Sequence, residues 1–195
     1  MIFLTFNIWC NDAIELYLLS KSTHMSTWSN FYKQRINSSY QDYFEKKYNP
    51  LLSFLKGFKS VREEGIGIGS VSKFLIKEGV NTSGFDLCPE MVKLCKMNNP
   101  TINCWVDNIF RNQNNRVDIV VTHGVLEHFS DVDINKILDR YRWSHQPNIH
   151  YVPLEGYKVP SFGDERLLSW KHWVQNFCPT SYEVVDNKDL YLYFS

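Results

Sequence analysis

Several features that would point to particular classes of protein are missing from this sequence. Its 21 lysine and arginine residues are balanced by 21 acidic residues, and no basic run occurs. Nucleic acid is therefore not expected as a partner, because neutralising phosphates needs a basic surface. The five cysteines are odd in number and lack paired CxxC spacing, so we expect neither a metal site nor disulfides. Reduced thiols of this kind predict a cytoplasmic protein.

Long apolar runs are also missing. Residues 1–9 are mostly apolar, but no basic residues precede them, and Asp12 and Glu15 interrupt the run before a bilayer could be spanned. We expect neither a signal peptide nor a membrane-spanning helix, and no membrane partner. Residues 1–24 differ in character from the rest of the chain, and Met25 resembles a natural start. Our hypothesis is that residues 1–24 are an extension that function does not require.

The length of 195 residues and the apolar content of 44% predict one globular domain with one sizeable core. Within it, aromatic and aliphatic residues recur at three- and four-residue steps up to Leu55, which predicts a helical cap over residues 25–57. These aromatic side chains can pack against a sheet. Alternatively, Trp28, Phe31 and Tyr32 form a lid over a ligand, which makes Trp28 and Tyr32 candidate substrate-binding residues.

Residues 58–195 alternate between strand and helix patterns. Helices are expected through Lys77, from Pro89 to Lys96, from Asp131 to Trp143 and from about Glu165 to Phe177. The predicted strands cover residues 58–64, 82–86, 102–106, 117–121 and 148–152, with a closing hairpin of 182–185 and 190–194. This order predicts an α/β fold: a Rossmann-like, doubly wound, mostly parallel sheet of seven strands with a C-terminal antiparallel hairpin. Ligands of such sheets lie beyond the carboxyl ends of the strands.

Glycine is scarce, with nine residues in the chain, yet three of them alternate directly after the first predicted strand. A sharp turn from strand to helix needs small residues, and the free amides of the helix start favour a polar ligand. The spacing does not fit the dinucleotide fingerprint Gly-x-Gly-x-x-Gly in either frame. The segment Glu63-x-Gly65-x-Gly67-x-Gly69 instead resembles the first motif of class I S-adenosylmethionine-dependent methyltransferases.

Three further segments resemble later motifs of that family in the right order: residues 84–91, 106–109 and 118–129. The resemblance implies that S-adenosylmethionine is the cofactor and S-adenosylhomocysteine its product. Asp86 would accept hydrogen bonds from the ribose hydroxyls, a role that suits an acceptor-only carboxylate, while Asp107 and the next amide would bind adenine. The implied cofactor-binding residues are Glu63, Gly65, Gly67, Gly69, Asp86, Leu87, Asp107, Asn108 and His123.

The chemistry expected of such a protein is methyl transfer to oxygen or nitrogen of a small-molecule acceptor. The cofactor carries the activated methyl group, so the protein must orient the acceptor and, for some acceptors, supply a base. His123 and His128 are the candidate bases because imidazole titrates near neutrality. Glu127 is a candidate substrate-binding residue. The pair Glu127-His128 can equally serve to pack or cap a helix.

One feature departs from the family pattern. Arg62 and Glu64 lie in the first predicted strand, which is usually apolar, and burying two charges is costly unless they are paired. This departure keeps a second hypothesis open, namely a non-catalytic protein with this fold that binds S-adenosylmethionine or acts as a partner or sensor. A nicotinamide-dependent oxidoreductase is a third hypothesis, disfavoured by the glycine spacing. The sequence predicts neither the identity of the acceptor nor the oligomeric state.

Overall fold

The structure is a computed structural model that describes residues 32–33, 47–111, 116–158 and 164–195. The chain divides into two units, Met1–Asn37 and Ser38–Ser195. Within the first unit only Tyr32 and Lys33 are described, and both are helical. Trp28 lies outside the described residues, as does the proposed extension 1–24, so these predictions and the boundaries at residues 24 and 57 stay predictions. The second unit is described below.

Strands and helices alternate along the second unit, after a helical segment of residues 47–54. The strands are β1 (Ser60–Glu64), β2 (Asn81–Asp86), β3 (Asn103–Val106), β4 (Ile119–His123), β5 (Asn148–Pro153), β6 (Ser181–Val185) and β7 (Asp189–Phe194). The helices are α1 (Ser70–Lys77), α2 (Pro89–Asn98), α3 (Asp131–Trp143) and α4 (Trp170–Phe177), with short 3₁₀ helices at Leu126–His128 and Glu155–Tyr157.

The seven strands form one sheet in the order β3-β2-β1-β4-β5-β7-β6. The first five strands pair in parallel, and β7 pairs antiparallel with both β5 and β6. The predicted fold class is therefore confirmed. The strand order reverses between β1 and β4, so the carboxyl ends of these two strands border the switch point at which ligands of doubly wound sheets bind.

The sheet is covered on both faces, which explains why its central strands are buried throughout. On one face the segment 47–54 and α1 pack against alternate residues of the strands, among them Val61, Ile119 and Ile149. On the other face α3 and α4 pack against Val120 and Val152. The period of two along each strand thus assigns neighbouring side chains to opposite cores.

Two of the boundaries that differ from the predictions have a clear structural reason. The last helix begins at Trp170 rather than near Glu165, because Ser169 caps it by accepting a hydrogen bond from the amide of His172. The backbone just before this cap is not helical, because Leu168 forms a parallel β-bridge with Leu154. Strand β4 begins two residues later than predicted because the Asp118 carboxylate accepts from the amides of Lys59 and Ser60 at the start of β1.

The two charged residues of β1 are buried and paired. Arg62 and Glu64 are 3% and 0% exposed, and both point to the α3 face. One oxygen of Glu64 accepts from Nε and Nη2 of Arg62 at 3.0 Å each. The other accepts from the guanidinium of Arg140 and, at 2.8 Å, from the hydroxyl of Tyr141. Strand β1 is therefore a deep central strand whose charges are compensated from α3.

A second polar group lies on the same face, beside the first. His150 is fully buried, and burial together with the charge of Arg140 lowers its pKa to about 3, so the ring is neutral. The side-chain nitrogen of Asn148 donates to the carbonyl of Gln146. The side-chain oxygen of Asn148 therefore faces Nε2 of His150, at 2.7 Å. Nε2 therefore carries the proton, and Nδ1 accepts from the hydroxyl of Thr122 at 2.8 Å.

No helix in the described ranges is long and apolar enough to cross a membrane. The four cysteines within those ranges, Cys88, Cys95, Cys104 and Cys178, are all free thiols.

The buried ion network yields a prediction about stability. Glu64→Gln removes the formal negative charge that pairs with both Arg62 and Arg140, so we expect the free energy of unfolding to fall by about 3–5 kcal/mol. The matched control is Asp139→Asn, which breaks the exposed pair with Arg142 and should cost less than about 1 kcal/mol. Urea denaturation of the two variants measures both effects; equal losses would contradict the role given to the network.

Candidate functional site

The turn after β1 is built from glycines in the left-handed backbone region. Gly65, Gly67 and Gly69 have φ of 83°, 53° and 77°, values that residues with a Cβ rarely adopt. The amides of Gly65 and Ile66 both donate to the carbonyl oxygen of Phe85, at 2.8 and 2.9 Å. The turn is thereby tied to the end of the neighbouring strand β2, and α1 begins directly behind it.

The carboxylate of Asp86, the last residue of β2, completes this connection. One oxygen accepts from the amide of Gly67 at 2.9 Å, and the other accepts from the amide of Cys88 at 2.9 Å. Burial raises the pKa of Asp86 above its ordinary value, and these hydrogen bonds oppose the rise. Because each carboxylate oxygen can accept two hydrogen bonds, Asp86 has acceptor capacity beyond these two amides.

Glu63 is buried at the end of β1, just before the turn. It is 2% exposed, and its carboxylate accepts from the amide and the hydroxyl of Ser72 in the first turn of α1. Burial raises the pKa of Glu63 to about 8 despite these hydrogen bonds. These contacts make Glu63 a residue that fixes the start of α1 to the end of β1, and its predicted contact with a cofactor stays a prediction.

The end of β3 lies beside the end of β2, since the amide of Asp107 donates to the carbonyl of Asp86 at 3.1 Å. The Asp107 carboxylate accepts from the amide of Asn108 at 2.7 Å and lies 3.8 Å from the Arg111 guanidinium. Asn108 is 5% exposed; its side-chain oxygen accepts from the amide of Phe110. Its amide nitrogen Nδ2 is buried and has no hydrogen-bond partner among the described residues.

His123 ends β4 on the other side of the glycine turn. Its ring stacks on the ring of Tyr151, with centroids 3.9 Å apart, and meets the ring of Tyr48 edge-on at 5.0 Å. Burial, followed by the positive charge of Lys47, lowers the pKa of His123 to about 3. The ring is therefore neutral at physiological pH and weakly basic in the free protein, so its predicted role as a base needs a bound ligand that changes these surroundings.

The other two candidates lie in the 3₁₀ helix Leu126–His128. Glu127 is 2% exposed, and burial raises its pKa to about 7. Nδ1 of His128 lies 3.0 Å from the carboxylate of Asp164. Burial acts to lower the pKa of His128, but the hydrogen bond to Asp164 and the charges of Glu127, Asp164 and Glu165 outweigh it and raise the pKa. Of the two predicted bases, His128 is thus the one whose surroundings favour taking up a proton.

One polar cluster beside the site has no counterpart among the residues predicted from the sequence. The carboxylate of Asp189 accepts from the hydroxyls of Tyr151 and Tyr157, at 2.8 and 2.6 Å, and the ammonium group of Lys47 donates to Tyr157. Tyr151 could have been found, because it lies near the end of a parallel strand, as His123 does. Asp189 and Lys47 could not, because only the antiparallel pairing of β7 with β5 brings Asp189 to this edge.

The structure thus brings most of the predicted residues to one edge of the sheet. Leu87 follows Asp86 and is half-buried. Tyr32 is described only as helical and belongs to the other unit, so its predicted contact with a substrate stays a prediction, as does that of Trp28. Among the described residues, no group of histidine, cysteine and carboxylate side chains is arranged to hold a metal ion.

Comparison with known proteins finds a match to one family model. Residues 63–142, which include the glycine turn, Asp86, Asp107 and His128, match the model of a methyltransferase domain. These residues carry the resemblance to class I methyltransferases. The resemblance expected from the sequence is confirmed. A search of curated proteins finds no significant match to the sequence.

Solved structures share the fold of this methyltransferase domain. The PH0226 protein from Pyrococcus horikoshii OT3 is 14% identical with a TM-score of 0.67, covering 82% of this chain and 92% of its own. Magnesium protoporphyrin IX methyltransferase from Synechocystis PCC 6803, solved with S-adenosylhomocysteine, is 15% identical with a TM-score of 0.56, covering 82% and 89%. Human N-acetylserotonin methyltransferase, solved with S-adenosylmethionine, is 15% identical with a TM-score of 0.58, covering 72% and 49%.

Two glycines of the turn, Gly67 and Gly69, should differ in what they tolerate. A Cβ added to Gly67 would meet only the methyl group of Met91, at 3.6 Å, whereas one at Gly69 would lie 2.7 Å from Sγ of Cys95. Gly67→Ala should therefore cost only the left-handed strain of about 1–2 kcal/mol. Gly69→Ala should cost about 1–3 kcal/mol more, from overpacking. Thermal unfolding of both variants tests this order, and a less stable Gly67→Ala protein would contradict it.

The pairing of His128 with Asp164 predicts a pH effect. Because folding raises the pKa of His128, the pair stabilises the fold below the ordinary histidine pKa of about 6.5, and this contribution is lost as the pH rises through the folded-state value. Asp164→Asn should lower the pKa of His128, as measured by NMR titration of the imidazole. Asp139→Asn, on the exposed side of α3, is the matched control. An unchanged titration in Asp164→Asn would show that the pair does not set the pKa.

Proposed function

We propose that this chain is an S-adenosylmethionine-dependent methyltransferase that transfers a methyl group to oxygen or nitrogen of a small-molecule acceptor. The observation that carries the proposal is the hydrogen bond between the amide of Gly67 and the carboxylate of Asp86. It holds a glycine turn and an acceptor-only side chain at the carboxyl ends of adjacent parallel strands, where a nucleoside ligand can reach both.

The side chains along this edge fit the parts of the cofactor. Asp86 offers acceptor capacity for the ribose hydroxyls, and the space beside Gly67 is nearly free of protein atoms. Asp107 offers an acceptor and Asn108 a buried, unpartnered N–H donor, a combination that suits the edge of an adenine ring. The unpartnered donor is informative because buried polar groups are nearly always satisfied in folded proteins.

The cofactor would supply the activated methyl group, and the chain's own residues would orient the acceptor and handle its proton. His128 is held at Nδ1 by Asp164, which fixes the direction of the ring. The solved relatives support the cofactor, since two of them were solved with S-adenosylmethionine or S-adenosylhomocysteine. The neutral net charge supports a small acceptor over a nucleic acid.

The non-catalytic alternative now has less support. It was motivated by the charges of Arg62 and Glu64, and these charges are paired with each other and with α3. Their presence in β1 is therefore a feature of packing that needs no loss of function to explain it. The nicotinamide hypothesis still lacks the glycine spacing that it requires.

Binding measurements test the proposal. Calorimetric titration should show binding of S-adenosylmethionine and S-adenosylhomocysteine and none of NAD. Asp86→Asn keeps the side chain's shape but replaces a charged acceptor with a donor, so affinity for both ligands should fall by about tenfold or more. Asp139→Asn serves as the matched control and should bind like the unmodified protein.

Two outcomes would contradict the proposal. Failure of the unmodified protein to bind either ligand would exclude S-adenosylmethionine as its cofactor. Unchanged affinity in a folded Asp86→Asn protein would show that the ribose lies elsewhere.

A further inference from the structure

Two buried polar atoms without partners flank Gly124, directly after β4. They are Nε2 of His123 and Oε2 of Glu127, neither of which has a hydrogen-bond partner in the described part of the chain. The Glu127 side chain is buried, and a Cβ added to Gly124 would lie 3.4 Å from its other oxygen, Oε1. Buried polar groups are nearly always satisfied in folded proteins, so the pair is suited to a ligand that supplies the missing bonds.

Both atoms can accept hydrogen bonds. Burial lowers the pKa of His123 to about 3, so its ring is neutral. One nitrogen of a neutral imidazole is an acceptor, and Nε2 is that acceptor when the proton is on Nδ1. An ionised Glu127 accepts only. The two residues therefore suit a ligand group with N–H or O–H donors, and they disfavour a carboxylate or a phosphate.

The pair lies next to the glycine turn. Val125, between the two residues, packs so closely against Gly65 that a Cβ added there would lie 2.5 Å from its Cγ2. Strands β1 and β4 are adjacent in the sheet, and both end at this edge. The ring of His123 stacks on that of Tyr151, on which the charge of Glu127 also acts.

We propose that His123 and Glu127 form the subsite for the N–H or O–H group of the methyl acceptor, and that Oε2 of Glu127 takes up the proton which that group releases. This inference rests on the proposed function. As the acceptor's nitrogen or oxygen bonds to the methyl carbon, the carbon–sulfur bond breaks and its electron pair stays on sulfur. The acceptor then carries one proton too many, and Glu127 is the unpartnered base beside it.

Other charges around Glu127 set the pH range in which it can act. Burial raises the pKa of Glu127 most, and the charges of Glu165 and Asp164 add to this rise, whereas the charge of His128 opposes it. Tyr151 also faces the group, and it stays protonated because burial raises its pKa. With a pKa of about 7, Glu127 is ionised above neutrality and protonated below it. The subsite should therefore hold a donor group better at pH 8 than at pH 6.

Sinefungin is a probe that does not require the acceptor to be known, because it carries a primary amine where S-adenosylmethionine carries the methyl group. Calorimetry should show that the unmodified protein binds sinefungin about tenfold more tightly than S-adenosylhomocysteine at pH 8, and less so at pH 6. Glu127→Gln should abolish this preference and leave the affinity for S-adenosylhomocysteine within about twofold. Glu183→Gln, on the exposed edge strand β6, is the matched control and should keep the preference.

The outcomes separate this inference from the proposed function. If the unmodified protein binds S-adenosylhomocysteine but shows no preference for sinefungin, or a preference that does not change between pH 6 and pH 8, the subsite is overturned alone. An equal loss of affinity for both ligands in Glu127→Gln overturns it as well, because Glu127 would then contact a part of the molecule that both ligands share. If S-adenosylhomocysteine does not bind at all, the proposed function fails and this inference with it. The pH comparison uses the unmodified protein, so it holds even where a variant does not fold.

Discussion

The close approach of β1 and β2 at their carboxyl ends is the constraint on which the site depends. A Cβ on Gly84 would lie 2.3 Å from the carbonyl oxygen of Glu63, so the two strands can come this close only because the residue is glycine. The Phe85 carbonyl and the Asp86 carboxylate then accept hydrogen bonds from backbone amides of the turn. Position, shape and hydrogen-bonding character of the candidate cofactor site all follow from this contact.

Strand β1 carries a buried carboxyl group on each of its faces, and each group is held by different partners. Glu63 is bonded to the start of α1 through the amide and the hydroxyl of Ser72. Glu64 is bonded to Arg62 and to α3. Breaking such buried pairs is costly even where forming them contributes little net stability. The central strand is thus fixed to a helix on each side, which holds the glycine turn in place between them.

The fold could be predicted from the sequence because it depends on local patterns. Apolar runs, glycines and caps indicated seven strands in the right order, and the rule that strand ends share one edge placed Asp86, Asp107 and His123 together. The partners of these residues could not be predicted in the same way. Arg140 meets Glu64 across 76 positions, and Lys47 meets Tyr157 across 110. Such pairs depend on the packing of helices onto the sheet, which no local pattern specifies.

The same limit applies to the chemistry of the candidate residues. Their residue types made His123 and His128 equivalent candidates, since both are histidines after one strand. The structure separates them: the ring of His123 is stacked and neutral, whereas His128 is held by Asp164. Burial and neighbouring charge decide such differences, and both arise only once the chain is folded.

A crystal structure of the protein grown with S-adenosylhomocysteine would show directly whether the glycine turn and Asp86 form the cofactor site. We expect the ligand to lie over the turn, with its ribose hydroxyls within hydrogen-bonding distance of Asp86 and its adenine beside Asp107 and Asn108. Binding of the ligand at another surface would contradict this assignment. So would a glycine turn without bound ligand in crystals grown at a saturating ligand concentration.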